Sequence, residues 1–327
     1  MLIENRTKNH LHGILHHPED DSNAVGIVLL CPGVKSRVAP HRLYVQMAHS
    51  FAARGFTVLR FDFSGLGDSE GENEETTLAD LFNAIQLGKY VDDTLDALDW
   101  LEKNYNKKHF ILAGLCGGAI TGLHAGVKDG RVIGLIALGM PVILDGHNMD
   151  RRLYLTPHQI TSNRGSFIRK AANFDAWKRL LLLKSDFKLI YLSFVAPLLK
   201  KLQREWKPGS EVSANGRADN LNPTFQPAFL KFIKTGKILF IFGESDKLLW
   251  DFREKFMQRF HYTEKSFKHA IEIKIIPDAN HIMSFDAWTR EMLQTVLHWL
   301  RLNGYLAEDT GSYDKASEKW PRALSVK

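Results

Sequence analysis

One cysteine stands where a tight turn would expose it. Cys116 lies in the run Ile111-Leu112-Ala113-Gly114-Leu115-Cys116-Gly117-Gly118-Ala119. That run reads as an apolar strand, a Gly-x-Cys-x-Gly turn and the start of a helix, the pattern of a nucleophile elbow with sulfur in the place of a hydroxyl oxygen. Gly114 and Gly118 let strand and helix nearly touch while the side chain is lifted above the sheet. The helix N-terminus then turns its free N–H groups toward the sulfur, an arrangement that favours a thiolate and any oxyanion formed beside it. Such a sulfur can accept an acyl group, provided that a base takes its proton and a carboxylate orients the base. Both follow in the chain, Asp246 after Gly243-Glu244-Ser245 and His281 after Pro277-Asp278-Ala279-Asn280. Glu244 and Asp251 compete with Asp246 for the role of acid.

An oxyanion site needs two convergent backbone N–H groups. Gly117, directly after the cysteine, is one candidate, and Val34, in the turn Pro32-Gly33-Val34 that ends an apolar strand, is the other. Lys35, Arg37, His41 and Arg42 come directly after that turn. They read equally as a grip on a substrate carboxylate or phosphate and as the solvated start of a helix. Cys31 ends the strand that should neighbour the elbow strand and reads as a packed core thiol. His10, His12 and His16 alternate along an N-terminal strand. Same-face histidines can bind metal, but no second ligand cluster accompanies them, so a polar edge-strand face is the expectation.

The elements that must position these residues are legible as apolar runs. Residues 24–31, 56–63, 111–115, 131–140, 237–243 and 271–276 are strand-like, the first an unbroken apolar stretch suited to a parallel strand buried on both faces. Helical patterns fall between them, over 42–54, 80–106, directly after the elbow, and over 250–260 and 287–302, with a strand pair joined by a turn over 1–20. The alternation predicts an α/β fold, a mostly parallel sheet flanked by helices. It breaks at 142–235, where helices are expected over 175–184 and 187–204. The expected organisation is a discontinuous core of residues 1–141 and 236–303, a helical lid over 142–235, and a polar tail over 304–327.

Composition bounds the rest. The chain has 327 residues, 44% of them hydrophobic and 24% charged, which excludes a disordered or fibrous class. Two cysteines provide no disulfide framework and suit a reducing, cytoplasmic compartment. No signal peptide and no apolar run of about 18 residues is evident, so no membrane span is expected. The net charge of +6 is concentrated: residues 168–207 hold ten Lys or Arg against three Asp or Glu. A basic segment on a near-neutral body suits an acidic partner, a membrane face or a substrate lid rather than nucleic acid. Within it, residues 189–199 are apolar, either the inner face of a lid or an interfacial membrane helix with basic flanks.

The order Cys116, Asp246, His281, each after a strand, is that of the α/β hydrolases. The sequence resembles that superfamily, and within it the exosortase-A-associated hydrolases that carry a cysteine nucleophile. Four segments carry the likeness: 32–42 (Pro-Gly-Val-Lys-Ser-Arg-Val-Ala-Pro-His-Arg), 58–71 with its Arg60-Phe61-Asp62-Phe63-Ser64-Gly65-Leu66-Gly67-Asp68-Ser69, 114–119, and Asn280-His281-Ile282-Met283-Ser284. The chain departs from the family at Gly117, where Asp is usual, and at Cys31-Pro32-Gly33, where Gly-Gly-Pro is usual. The resemblance implies an α/β-hydrolase fold with a lid and a hydrolase or acyltransferase without metal or organic cofactor. The expected activity is hydrolysis of an acyl ester or thioester through an acyl-cysteine. An acyltransferase or cyclase using the same intermediate, and a non-catalytic binding protein on this fold, are the alternatives. The basic lid would suit a substrate linked to a carrier protein or coenzyme A.

Overall fold

The computed structural model describes residues 1–21, 23–144, 220–267 and 270–306. The strands are β1 (Leu2–Glu4), β2 (His10–His16), β3 (Val25–Leu30), β4 (Thr57–Phe61), β5 (His109–Leu115), β6 (Val132–Leu138), β7 (Lys237–Gly243) and β8 (Ile271–Ile276). They form one sheet in the order β1-β2-β4-β3-β5-β6-β7-β8. From β4 to β8 every pairing is parallel, and β1 and β2 close one edge antiparallel. The unbroken apolar runs are the cause: a parallel strand is buried on both faces and needs no polar alternation. Side chains divide by parity. Ile27, Leu29, Ile111, Ala113, Leu239 and Ile241 meet the helices α1 (Leu43–Ala52) and α7 (Asp286–Leu302). Val28, Leu30, Phe110, Leu112, Phe240 and Phe242 face the other layer, built from α3 (Val91–Tyr105), α4 (Gly117–Lys128) and α5 (Phe225–Phe232).

The pattern over 80–106 resolves into two helices, α2 (Leu78–Gln86), capped by the Thr77 side chain, and α3. Gly88, at φ +104°, breaks them apart. The expected helix over 250–260 starts earlier and changes pitch: α6 (Lys247–Asp251) passes into a π-helical turn over Phe252–Met257. Residues 220–235 lie in the span read as lid, yet their packing ties them to the body. Phe225, Phe229 and Phe232 of α5 are fully buried, and Asn222 donates to the Gln86 carbonyl at 2.8 Å. Residues 145–219, with the basic 168–207 segment, lie outside the described residues, as does the tail from 307. No described helix is long and apolar enough to cross a membrane.

The strand order matters for chemistry. After β3 the chain turns to the α1 face, and after β5 to the α4 face, so the loops at the tips of these neighbouring strands part. An open α/β sheet leaves its crevice for ligands at such a switch point.

Candidate active site

At the tip of β5, Cys116 adopts φ 55° and ψ −114°, a backbone conformation unusual for a residue with a side chain. Packing imposes it. A Cβ on Gly114 would strike the backbone of Gly118, and one on Gly118 would strike the Leu30 carbonyl oxygen. Only glycine at both positions lets α4 start this close to β3 and β5. The Cys116 N–H is held by the Leu138 carbonyl at 2.9 Å, which fixes the turn against β6. The thiol is half-buried and free of any disulfide.

His281, on the loop after β8, reaches the same point. Its Nδ1 donates to Asp246 Oδ2 at 2.8 Å, and the Cys116 thiol lies near enough to act on the same ring. Asp246, at the tip of β7, is 3% exposed, and its Oδ1 accepts from the Leu248 N–H at 2.9 Å as the N-cap of α6. One carboxylate oxygen is thus anchored to the backbone while the other faces the imidazole. Burial acts to lower the His281 pKa, but the hydrogen bonds to Asp246 and Cys116 and the charge of Asp246 outweigh it. The imidazole is pushed up to about 10. The competing acids stand elsewhere. Glu244 accepts the Asp278 N–H at 3.0 Å, and the buried Asp251 pairs with Lys255 at 3.5 Å.

The turn after β3 lies against the elbow: a Cβ on Gly117 would come within 2.7 Å of the Gly33 Cα. Among the described residues, neither the Val34 nor the Gly117 N–H donates to a protein acceptor. Two uncommitted donors beside a sulfur can receive an oxyanion. Of the four residues that follow, Lys35, His41 and Arg42 are exposed, and His41 and Arg42 are both in the left-handed region. Arg37 is committed to the protein. Its guanidinium joins the fully buried Asp62 and also Asp68, the latter at 2.6 Å, and its N–H donates to Asp62 Oδ1 at 2.5 Å. This carboxylate pair clamps the oxyanion turn to the tip of β4. Cys31 is wholly buried and donates to the Phe61 carbonyl at 2.9 Å. The three N-terminal histidines have separate surroundings: His10 meets Glu70 at 2.9 Å, and His16 accepts from Arg60 Nε at 2.9 Å.

Sequence reasoning missed Gly139, directly after β6. It has φ +50°, and a Cβ there would lie 2.7 Å from His281 Nδ1 and 2.9 Å from Asp246 Oδ2. The signal was a glycine immediately after an apolar strand, and only the fold shows that two distant loops meet over it.

A family profile described as the alpha/beta hydrolase family matches residues 28–295. The chain belongs to the alpha/beta hydrolase family. Its fold is shared by a putative alpha/beta hydrolase of unknown function from Agrobacterium tumefaciens, at 18% identity and TM-score 0.51 over 94% of this chain and 99% of that one. An esterase from Pyrococcus furiosus matches at 18% identity and TM-score 0.51 over 92% and 89%. A proline iminopeptidase from Mycobacterium smegmatis matches at 16% identity and TM-score 0.53 over 92% and 97%. No protein of curated function matches this sequence. Family membership agrees with the mostly parallel sheet flanked by helices.

Proposed function

We propose that this alpha/beta hydrolase cleaves an acyl ester or thioester through Cys116, with His281 as base and acid, Asp246 as its orienting carboxylate, and the Val34 and Gly117 N–H groups as oxyanion donors. The observation that carries the reading is the His281–Asp246 hydrogen bond at 2.8 Å, with the Cys116 thiol acting on the same ring, at the switch point of the sheet. The likeness of segments 32–42 and 114–119 to the exosortase-A-associated hydrolases supports a cysteine nucleophile.

His281 holds the proton of the Cys116–His281 pair as the sulfur attacks the acyl carbon, and the carbonyl electrons move onto the oxygen that faces the two N–H donors. The tetrahedral species collapses, the bond to the leaving alcohol or thiol breaks, and His281 returns the proton to it. Water then attacks the acyl-cysteine, with His281 accepting its proton and giving it to the departing sulfur. Asp246 keeps the ring in the tautomer and orientation that this needs, and stabilises the cation that forms. Thioesters and activated esters suit a thiolate better than amides, whose leaving groups demand more acid assistance. An acyl thioester stays reactive enough to pass its acyl group to an amine or alcohol, so acyl transfer or cyclisation uses the same residues. The exposed Lys35 and Arg42 side chains and the His41 imidazole are available to an acidic acyl carrier or a coenzyme A headgroup, and a reducing cytoplasm would keep the thiol usable.

The test is turnover of a panel of acyl thioesters and activated esters by the wild type, Cys116→Ala and His281→Ala, with and without added amines and alcohols. Release of free acid by the wild type alone supports hydrolysis. Product only with an added acceptor assigns acyl transfer. Equal turnover by all three proteins contradicts the site.

A further inference from the structure

The β3–β5 ladder runs in parallel register from Val25↔His109 to Leu30↔Gly114. Its next rung would join the Leu115 N–H directly to the Leu30 carbonyl. Instead, a side chain from another element is inserted there. The Tyr44 hydroxyl accepts from the Leu115 N–H at 2.7 Å and donates to the Leu30 carbonyl at 2.7 Å. Tyr44 is on α1 and is fully buried. A direct rung holds donor and acceptor about 2.9 Å apart, whereas two hydroxyl bonds in series hold them roughly 4–5 Å apart. The strand tips are therefore spread by the width of one oxygen. Leu115 is the residue before Cys116, and Leu30 leads through Cys31-Pro32-Gly33 to Val34. The same Leu30 carbonyl abuts Gly118 at the start of α4.

We propose that Tyr44 is a positioning residue of the oxyanion site: its hydroxyl is the spacer that sets the distance between the turn carrying Val34 and the elbow carrying Cys116 and Gly117. The proposal rests on the acyl-transfer reading of Cys116. Burial raises the Tyr44 pKa well above its ordinary value, so the hydroxyl keeps the proton that it donates to Leu30. Removing the oxygen has two consequences: the strand tips close into a direct rung, or a buried N–H and C=O are left unpaired. Either one moves Val34 relative to the carbonyl that Cys116 attacks.

Tyr44→Phe keeps the ring in the core and removes only the spacer. Three rates are compared with wild type: acylation of Cys116 by a short-chain acyl thioester, alkylation of Cys116 by iodoacetamide, and hydrogen exchange at the Leu115 amide. Alkylation uses the same sulfur but forms no oxyanion. The expected result is acylation slowed about 10- to 100-fold with alkylation unchanged and altered exchange at Leu115. Acylation and alkylation slowed together would mean general damage to the elbow, and no change in either would mean an idle hydroxyl; both overturn the proposal. A wild type that alkylates at Cys116 yet is acylated by no substrate overturns the parent reading instead. The Leu115 exchange then still reports whether the spacer exists.

Discussion

His281 holds its proton far more firmly in the fold than in an unfolded chain, because Asp246 and Cys116 are both bonded to a ring that burial alone would keep neutral. Its folded pKa is about 10, against an ordinary value of 6.5. The contribution to stability is therefore complete below pH 6.5 and is lost as pH rises toward 10. Histidine-ring NMR should find the ring still protonated at pH 8 in the wild type. Asp246→Asn should lower the midpoint by more than about one unit and slow turnover by at least about 100-fold. A midpoint that stays in place would mean that Asp246 does not govern the ring. Gly139→Ala is the steric counterpart. Its methyl would sit 2.7 Å from His281 Nδ1 in a backbone that disfavours any side chain. Turnover should fall by more than about 10-fold with the far-UV circular dichroism retained, and wild-type rates would show that the loops can yield there.

At the scale of elements, the antiparallel pair β2–β4 carries a second pH response, of opposite sense. Arg60, 6% exposed, donates to His16, and burial, the Arg60 charge and nearby His49 push His16 down to about 4. A base with a lowered folded pKa stabilises the fold above pH 6.5 and does so less as pH falls through 6.5 toward 4. Urea midpoints should fall over that interval in the wild type and flatten in His16→Gln, which keeps an acceptor for Arg60; parallel curves would rule out His16 as the cause. These strands were plain in the sequence because a buried parallel strand writes itself as an unbroken apolar run, and β8 begins and ends where its pattern does. The tips of β5, β7 and β8 could be read as well, since a Gly-x-Cys-x-Gly turn and strand-end Asp and His carry their chemistry locally. What stayed hidden depends on contacts between distant segments. Arg37 looks like a free cation until the fold brings Asp62 and Asp68 to it. Tyr44 is one apolar position in a helical stripe, and only strand order puts its hydroxyl between Leu30 and Leu115. The π-helical turn at 252–257 has no periodicity of its own.

Across the whole molecule, the sheet is held from the α4–α5 side by stacked and edge-on aromatic rings. Phe229 meets Phe240, Phe256 and Phe267 at ring separations of 6.3, 5.3 and 5.0 Å and is wholly buried. Phe229→Ala should cost about 3–5 kcal/mol in urea unfolding while folded protein keeps its turnover, because no site residue touches that ring. A loss under about 1 kcal/mol would mean that α5 is not part of the body. The parallel sheet, its two helical layers and the parting of the loops after β3 and β5 combine to bring one thiol, one imidazole and one buried carboxylate together at the strand tips. The claim that this crevice makes an acyl-cysteine is tested most directly by intact-protein mass spectrometry after brief exposure to a panel of acyl thioesters, with the adduct mapped by peptide. The account predicts a gain of one acyl mass on Cys116 in the wild type, absent in Cys116→Ala and decaying in water. Turnover with no adduct on Cys116, or an adduct that persists in Cys116→Ala, would contradict it.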